Sequence, residues 1–363
     1  MEKILTTFIF LFAVSVSALG QISPIPAKGK PWQFAFSGDS RNCGDIVMPA
    51  IAKNIAATKA GFYWHLGDLR NIYDFDEDIM NRAGAKRPTI HDYEENVWQD
   101  MIESQINRFT VPFFLGIGNH ETASPKTRSE YLIQFADWLD SPILQAQRLK
   151  DDPNDHKLKA YFHWQQGGVD FIYLDNSTAD QFDAAQLVWF NKVMKNADAD
   201  PSITTVAVGM HEVLPDSVSF SHSMSDFPAG VIGGREVYTR LLQSRAQAHK
   251  MVYVLASHSH FLMDNVFDSE YWRANGGVLP GWIVGTAGAH RYRLPPNAEK
   301  ISPIARTNVY GYMLATVNPP GQPTGSIKFD FREMKPADVP TDVQTKFGPD
   351  LVKWCFEKNS DVP

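Results

Sequence analysis

Cysteine is nearly absent from this sequence, with Cys43 and Cys355 the only two in 363 residues. Two thiols cannot furnish a structural zinc site, which takes four ligands drawn from Cys or clustered Cys/His pairs. In an oxidising compartment the two can pair and tie the C-terminal segment to the first loop; equally, each can be a buried free thiol. Long apolar runs are as scarce. The one at residues 4–16 follows the basic Lys3 and precedes the small residues Ser17, Ala18 and Gly20. It is too short for a comfortable membrane span. Its layout is that of a secretory signal peptide cleaved after Ala18 or Gly20. We expect residues 1–20 to be a leader, the mature chain to carry no transmembrane anchor, and the protein to be secreted or periplasmic. An excess of positive charge is missing too. A formal net charge of −7 argues against a nucleic-acid-coating surface, which needs clustered Lys and Arg. It leaves room for a small phosphorylated substrate, because a metal's local charge overrides the global field. Repeats and low-complexity tracts are also lacking.

What is present is apolar enough for a substantial core, at 44% hydrophobic and 21% charged residues. Short runs rich in Val, Ile, Phe and Tyr stop abruptly at polar clusters: residues 32–39, 61–68, 112–120, 169–176, 204–211 and 251–260, then 281–288, 311–317 and 326–331. These read as buried strands. Helix-patterned stretches at 45–59, 93–109, 129–139, 184–196 and 236–250 separate the earlier ones. Early strand–helix alternation predicts an α/β fold, and the last strands, with no helix between them, predict an antiparallel or mixed edge. Connections at 70–93, 140–159 and 214–236 are long enough to shape the rim of a site. The expected organisation is one catalytic domain over 21–335, then a tail over 336–363 with a short docked helix at 350–357.

The chemistry-bearing residues gather where the strands stop. They are Asp39, Asp68, Asn119 with His120 and Glu121, His211, and His258 with His260, and in four of these five clusters a glycine comes just before. Polar residues at strand C-terminal ends are where ligands bind in α/β sheets. Oxygen and imidazole donors of this mix suit Zn, Mn or Fe. Two carboxylates, one amide and three imidazoles are too many ligands for one tetrahedral ion. Two ions sharing a carboxylate, about 3.5–4 Å apart, are the natural solution.

In these blocks the sequence resembles the calcineurin-like metallophosphoesterase superfamily, which includes the purple acid phosphatases. The blocks GD at Asp39, GD at Asp68, GNHE at Asn119, the lone His211 and HSH at His258 fall in the family's order. The resemblance implies a four-layer αββα sandwich with mixed sheets and metals at one edge. It also implies that Asp68 bridges two ions, with Asp39 and His260 on the first and Asn119, His211 and His258 on the second. A hydroxide between the ions would then attack phosphorus. His120 would face the leaving group as acid or charge stabiliser, with Glu121 behind its other nitrogen.

Two positions depart from the pattern. Arg41 stands where many members carry a metal-binding His, and a guanidinium offers donors only. Asn71 stands where purple acid phosphatases carry a Tyr, and Tyr73 lies two places off, so a ferric centre is not expected. The first site is short of a protein ligand. Arg41 has two readings, a fork on the substrate phosphate or a salt bridge to Asp45 or another loop carboxylate. His65 reads as a buried, hydrogen-bonded residue, His222 and Arg235 as weak substrate-contact candidates, and 176–178 as a glycosylation pattern. The functional expectation is an exported hydrolase of phosphate mono- or diesters. The alternatives are a non-catalytic metal-containing binding protein on the same scaffold, or a metal hydrolase of another bond. The H-x-H-x-D-H cluster of metallo-β-lactamases is not in the sequence.

Overall fold

The computed structural model describes residues 29–70, 90–178, 181–219 and 221–360. The expected leader, Asn71 and Tyr73 lie outside the described residues. The strands, in chain order, are β1 (Trp32–Ser37), β2 (Ala60–His65), β3 (Phe113–Leu115), β4 (Phe162–Gln166), β5 (Val169–Leu174), β6 (Thr205–Met210), β7 (Met251–Ala256), β8 (Leu262–Asp264), β9 (Gly281–Val284), β10 (Tyr310–Val317) and β11 (Ile327–Met334). They form two sheets, ordered β11-β10-β1-β2-β3 and β4-β5-β6-β7-β9-β8. β1, β2 and β3 run parallel, as do β5, β6, β7 and β9, while β10–β11, β4–β5 and β8–β9 are antiparallel. Both sheets are therefore mixed, with the antiparallel pairs at their edges.

Alternation along each strand decides what lies between the sheets and what lies outside them. In β5, Phe171 and Tyr173 face the first sheet, while Ile172 and Leu174 join the core under the helices Ala184–Ala199 and Pro228–Gln247. The inter-sheet layer is aromatic. Phe114 stacks on Trp164 at 3.9 Å, and the Phe171 ring sits 5.1 Å from Phe34 and 5.2 Å from Phe62. Rings of this size fill the gap between sheets with large apolar area and offset or edge contacts. On the outer face of the first sheet lie the helices Gly44–Ala56 and Ile90–Ser104. The result is the helix–sheet–sheet–helix layering expected above.

Several connections carry more structure than their composition suggests. The stretch 140–159 contains the helix Pro142–Asp151, started by proline at its first position, where the missing N–H costs nothing. The helix expected at 236–250 begins earlier, at Pro228, through Gly230, Gly233 and Gly234. Glycine weakens a helix in isolation, but here a Cβ at Gly234 would lie 2.2 Å from Pro215, so packing demands its absence. β4 and β8 are strands that periodicity missed, each pairing with one neighbour at a sheet edge. At the C-terminus, the helices Thr341–Phe347 and Pro349–Glu357 place Val343, Val352 and Cys355 in the same core as the first sheet. Cys355 is disulfide-bonded to Cys43, across 312 residues, which resolves the choice between paired and free thiols.

Candidate metal centre

The two sheets meet at the C-terminal ends of β1, β2, β3, β6 and β7, and there the polar clusters converge. Backbone bonds stitch the junction: Gly38 N donates to Val284 O at 2.9 Å, and Ala287 N to Gly38 O at 3.0 Å. Asp39, Asp68 and His258 have φ of 63°, 55° and 64°, left-handed values that non-glycine residues rarely adopt. Such strain persists where surrounding structure over-determines it, often at functional sites. It turns each side chain sharply out of its strand into the junction. Gly67 is required beside Asp68 by its φ of 97° and by backbone from Ile117 and Gly118, 2.8 Å from where a Cβ would stand. A Cβ at Gly118 would lie 2.3 Å from Asp68 Oδ1.

Asp68 Oδ1, Asn119 Oδ1, His211 Nε2 and His258 Nδ1 form one tight group. His211 Nε2 lies 3.0 Å from Asn119 Oδ1, 2.9 Å from His258 Nδ1 and 3.3 Å from Asp68 Oδ1. These are lone-pair atoms crowded around a point where a single proton satisfies only one of them. An ion about 2.1 Å from each ligand places neighbouring ligands roughly 3–3.5 Å apart, so the set fits a cation. The orientation is fixed from behind, because His211 Nδ1 reaches Leu66 O and Ser257 Oγ, both at 3.1 Å. Electrostatics agree. Burial alone would raise the Asp68 carboxyl, but His211, His120 and Arg41 hold it well below the usual carboxylate range. Burial pulls His211 down, yet Asp68 and Asp39 raise it to about 9, whereas burial and His211 hold His258 well below its ordinary value.

The first position is furnished differently. Asp39, Asp68 and His260 bring three donor atoms together, with His260 Nε2 3.4 Å from Asp39 Oδ1. Asp39 Oδ1 and Asp68 Oδ2 are buried and accept no hydrogen bond. Arg41 enters the same space, buried at 4% exposure. Its Nη2 donates to His260 Nε2 at 3.1 Å, its Nη1 meets the His120 ring, and its Nε lies 3.7 Å from Asp68 Oδ2. Of the carboxylates expected for Arg41, Asp45 is instead held by Arg70, Ser104 and Gln105, and the loop carboxylate beside Arg41 is Asp68.

Around the centre, several expectations change. Glu121 does not orient His120; its carboxylate accepts the backbone N–H groups of Asp68 (3.0 Å), Leu69 (2.9 Å) and Gly118 (2.7 Å), locking two ligand loops together. The His120 ring stands 3.8 Å from Asp68 Oδ2, and its backbone N–H donates to Asp68 Oδ1 at 3.0 Å. Arg235 is bound by both oxygens of Asp216 and stacks over Tyr271, away from the ligands named above. Asn176 is buried and exchanges hydrogen bonds with the Glu212 backbone, so its amide is not available for glycosylation. His65 is buried and neutral, burial lowering it to about 3.

His222 does lie at the site, its ring 5.2 Å from His258 and 5.0 Å from Tyr292. Tyr292 was not foreseen. It stacks on His260 at 4.0 Å and lines, with His222, Ser219 and Arg293, a groove of about 740 Å³ beside the centre. No motif marks it, since it reaches the ligands through a loop nearly three hundred residues into the chain.

Solved structures that share this architecture include the following two. One is PhoD, 15% identical, TM-score 0.53, with 86% of this chain covering 73% of that one. The other is a purple acid phosphatase isolated from yellow lupin (Lupinus luteus) seeds, 15% identical, TM-score 0.55, with 85% of this chain covering 53% of that one. This chain thus spans about half the length of the lupin phosphatase. No family model and no curated protein matches the sequence. The likeness establishes the fold, an αββα sandwich with mixed sheets.

Proposed function

We propose that this chain is an exported, metal-dependent hydrolase of phosphate mono- or diesters. The observation that carries the reading is the convergence of Asp68 Oδ1, Asn119 Oδ1, His211 Nε2 and His258 Nδ1, with His120 and Arg41 beside them. When bound, the ion supplies Lewis acidity, lowering the pKa of water and drawing charge from a phosphoryl oxygen. Asp68, Asn119, His211 and His258 would hold it. Ser257 and the Leu66 carbonyl fix the His211 ring, and Glu121 fixes the backbone under Asp68. His120, close to Asp68 yet outside the ligand group, is placed to give a proton to the departing oxygen. Arg41 offers N–H donors to phosphoryl oxygens as their charge grows. The groove lined by Ser219, His222, Tyr292 and Arg293 favours a small, polar phosphorylated substrate. Export is supported by the leader-like start of the sequence and by the Cys43–Cys355 disulfide, a bond that persists in oxidising compartments. Among the described residues no helix is long and apolar enough to cross a membrane.

Hydrolysis of aryl phosphate mono- and diesters by the metal-loaded protein tests the chemistry. Asp68→Ala and His211→Ala should each lower kcat/KM by at least about 10³-fold, and His120→Ala kcat by about 10²–10⁴-fold with metal content unchanged. Hydrolysis that survives both ligand substitutions defeats the reading. A binding protein on the same scaffold is the second reading, favoured by the hold of Arg41 on His260. It predicts saturable binding of an aryl phosphate without turnover.

A further inference from the structure

The donor set at the first position does not fit a second ion while Arg41 is in place. His260 Nδ1 donates to the His290 carbonyl at 2.5 Å, so Nε2 carries the ring's in-plane lone pair. That lone pair accepts from Arg41 Nη2 at 3.1 Å. A cation would need the same lone pair at about 2.0–2.1 Å, along a direction the guanidinium N–H already occupies. Tyr292 stacks over the His260 ring at 4.0 Å and meets Arg41 Nη2 through its hydroxyl at 3.5 Å, so both partners are held. The guanidinium is buried, keeps its proton under all ordinary conditions, and lies 3.7 Å from Asp68 Oδ2. It therefore brings a permanent positive charge to Asp68, one of the two carboxylates that would otherwise demand a metal. A divalent ion added beside it would face like charge at short range in a poorly screened interior.

We infer that the centre holds one ion, at the Asp68–Asn119–His211–His258 position, and that the Arg41 guanidinium takes the place of the other. The ion count rests on geometry alone. The consequence for substrate rests on the proposed function: a phosphoryl group would lie between the ion and Arg41, with one oxygen on each. Arg41 would then serve as a fixed phosphate anchor that no chelator removes.

Metal counting tests this without reference to activity. The full chain is stripped, reloaded with Mn²⁺, and measured by elemental analysis, titration calorimetry and electron paramagnetic resonance. The expected result is one Mn²⁺ per chain with the spectrum of an isolated ion. Arg41→His supplies the imidazole and removes the charge, and should take up a second ion with an exchange-coupled spectrum. Arg41→Ala, which only vacates the space, should admit a second ion at least ten-fold more weakly than the first. Two coupled ions in the unsubstituted protein overturn the inference. So does a single ion in both variants when their far-ultraviolet circular dichroism shows them folded. A one-ion protein that hydrolyses no phosphate ester would instead overturn the proposed function and leave the inference standing.

Discussion

Two histidines set in strands show how far a side chain's neighbours decide its charge. His65, in β2, is buried with Nδ1 accepting from Gly67 N at 3.2 Å, and burial keeps it neutral. His163, in β4, is as well buried, but its Nδ1 lies 2.7 Å from Asp170 and its Nε2 2.5 Å from Asp151. Burial pulls this imidazole down, and the two carboxylates outweigh it, raising it to about 9. The folded value lies above the unfolded one of about 6.5, so the stability it contributes is full below that pH and is lost as pH rises through about 9. The loss should be on the order of 3 kcal/mol. Urea unfolding between about pH 6 and pH 10 measures it, with His163→Gln expected to flatten the decline. An equally steep decline in that variant would assign the pH dependence to other groups.

The ligand loops are elements that hold one another. The loop after β3 touches the loop after β2 so closely that Asp68 Oδ1 and Asp68 N stand 2.3 and 2.4 Å from a Cβ built on Gly118. Its φ of −114° is open to any residue, so the glycine is set by this approach and not by backbone conformation. Gly118→Ala should therefore push the Asp68 loop from its place. We expect Mn²⁺ affinity to fall by about 10–100-fold, the range seen when a ligand's support is lost. Titration calorimetry beside a thermal melt separates lost affinity from lost stability. Unchanged affinity in a folded variant would mean that the loops accommodate a methyl group without moving Asp68. The same loops explain which elements were legible beforehand. Their strands are continuous apolar runs ending in motif residues, whereas β4 (FHWQQ) is an edge strand whose polar end carries no such signal.

Across the whole molecule, one covalent bond joins the start of the helix Gly44–Ala56 to the C-terminal helix, closing a loop of 312 residues. The segment after that helix reaches back toward the centre, where Asn359 Nδ2 donates to Tyr310 OH at 2.7 Å and Arg291 Nε to Asn359 O at 3.0 Å. Breaking so long a closure restores much freedom to the unfolded chain. Cys43→Ser with Cys355→Ser should cost about 2–5 kcal/mol of stability. Unfolding in guanidinium with and without a thiol reductant measures it. The unsubstituted protein should become as weak as the double variant once reduced, and a protein indifferent to reductant would show that the bond contributes nothing.

The sequence by itself determined most of the core strands, though not the edge strands β4 and β8, and the residues that meet at the sheet ends. Both follow from local signals: apolar runs of strand length, and polar donors placed directly after them. Asp39, Asp68, Asn119, His211, His258 and His260 were all nameable before any coordinates, because each sits in such a block. What only the tertiary structure decided was how those donors are shared. The lone pair of His260 goes to Arg41, the carboxylate of Glu121 goes to three backbone amides and not to His120, and Tyr292 closes the wall. Each of these joins residues far apart in the chain. Sequence spacing carries no record of which of several competent partners a hydrogen-bond donor will reach, and packing of the two sheets fixes that choice.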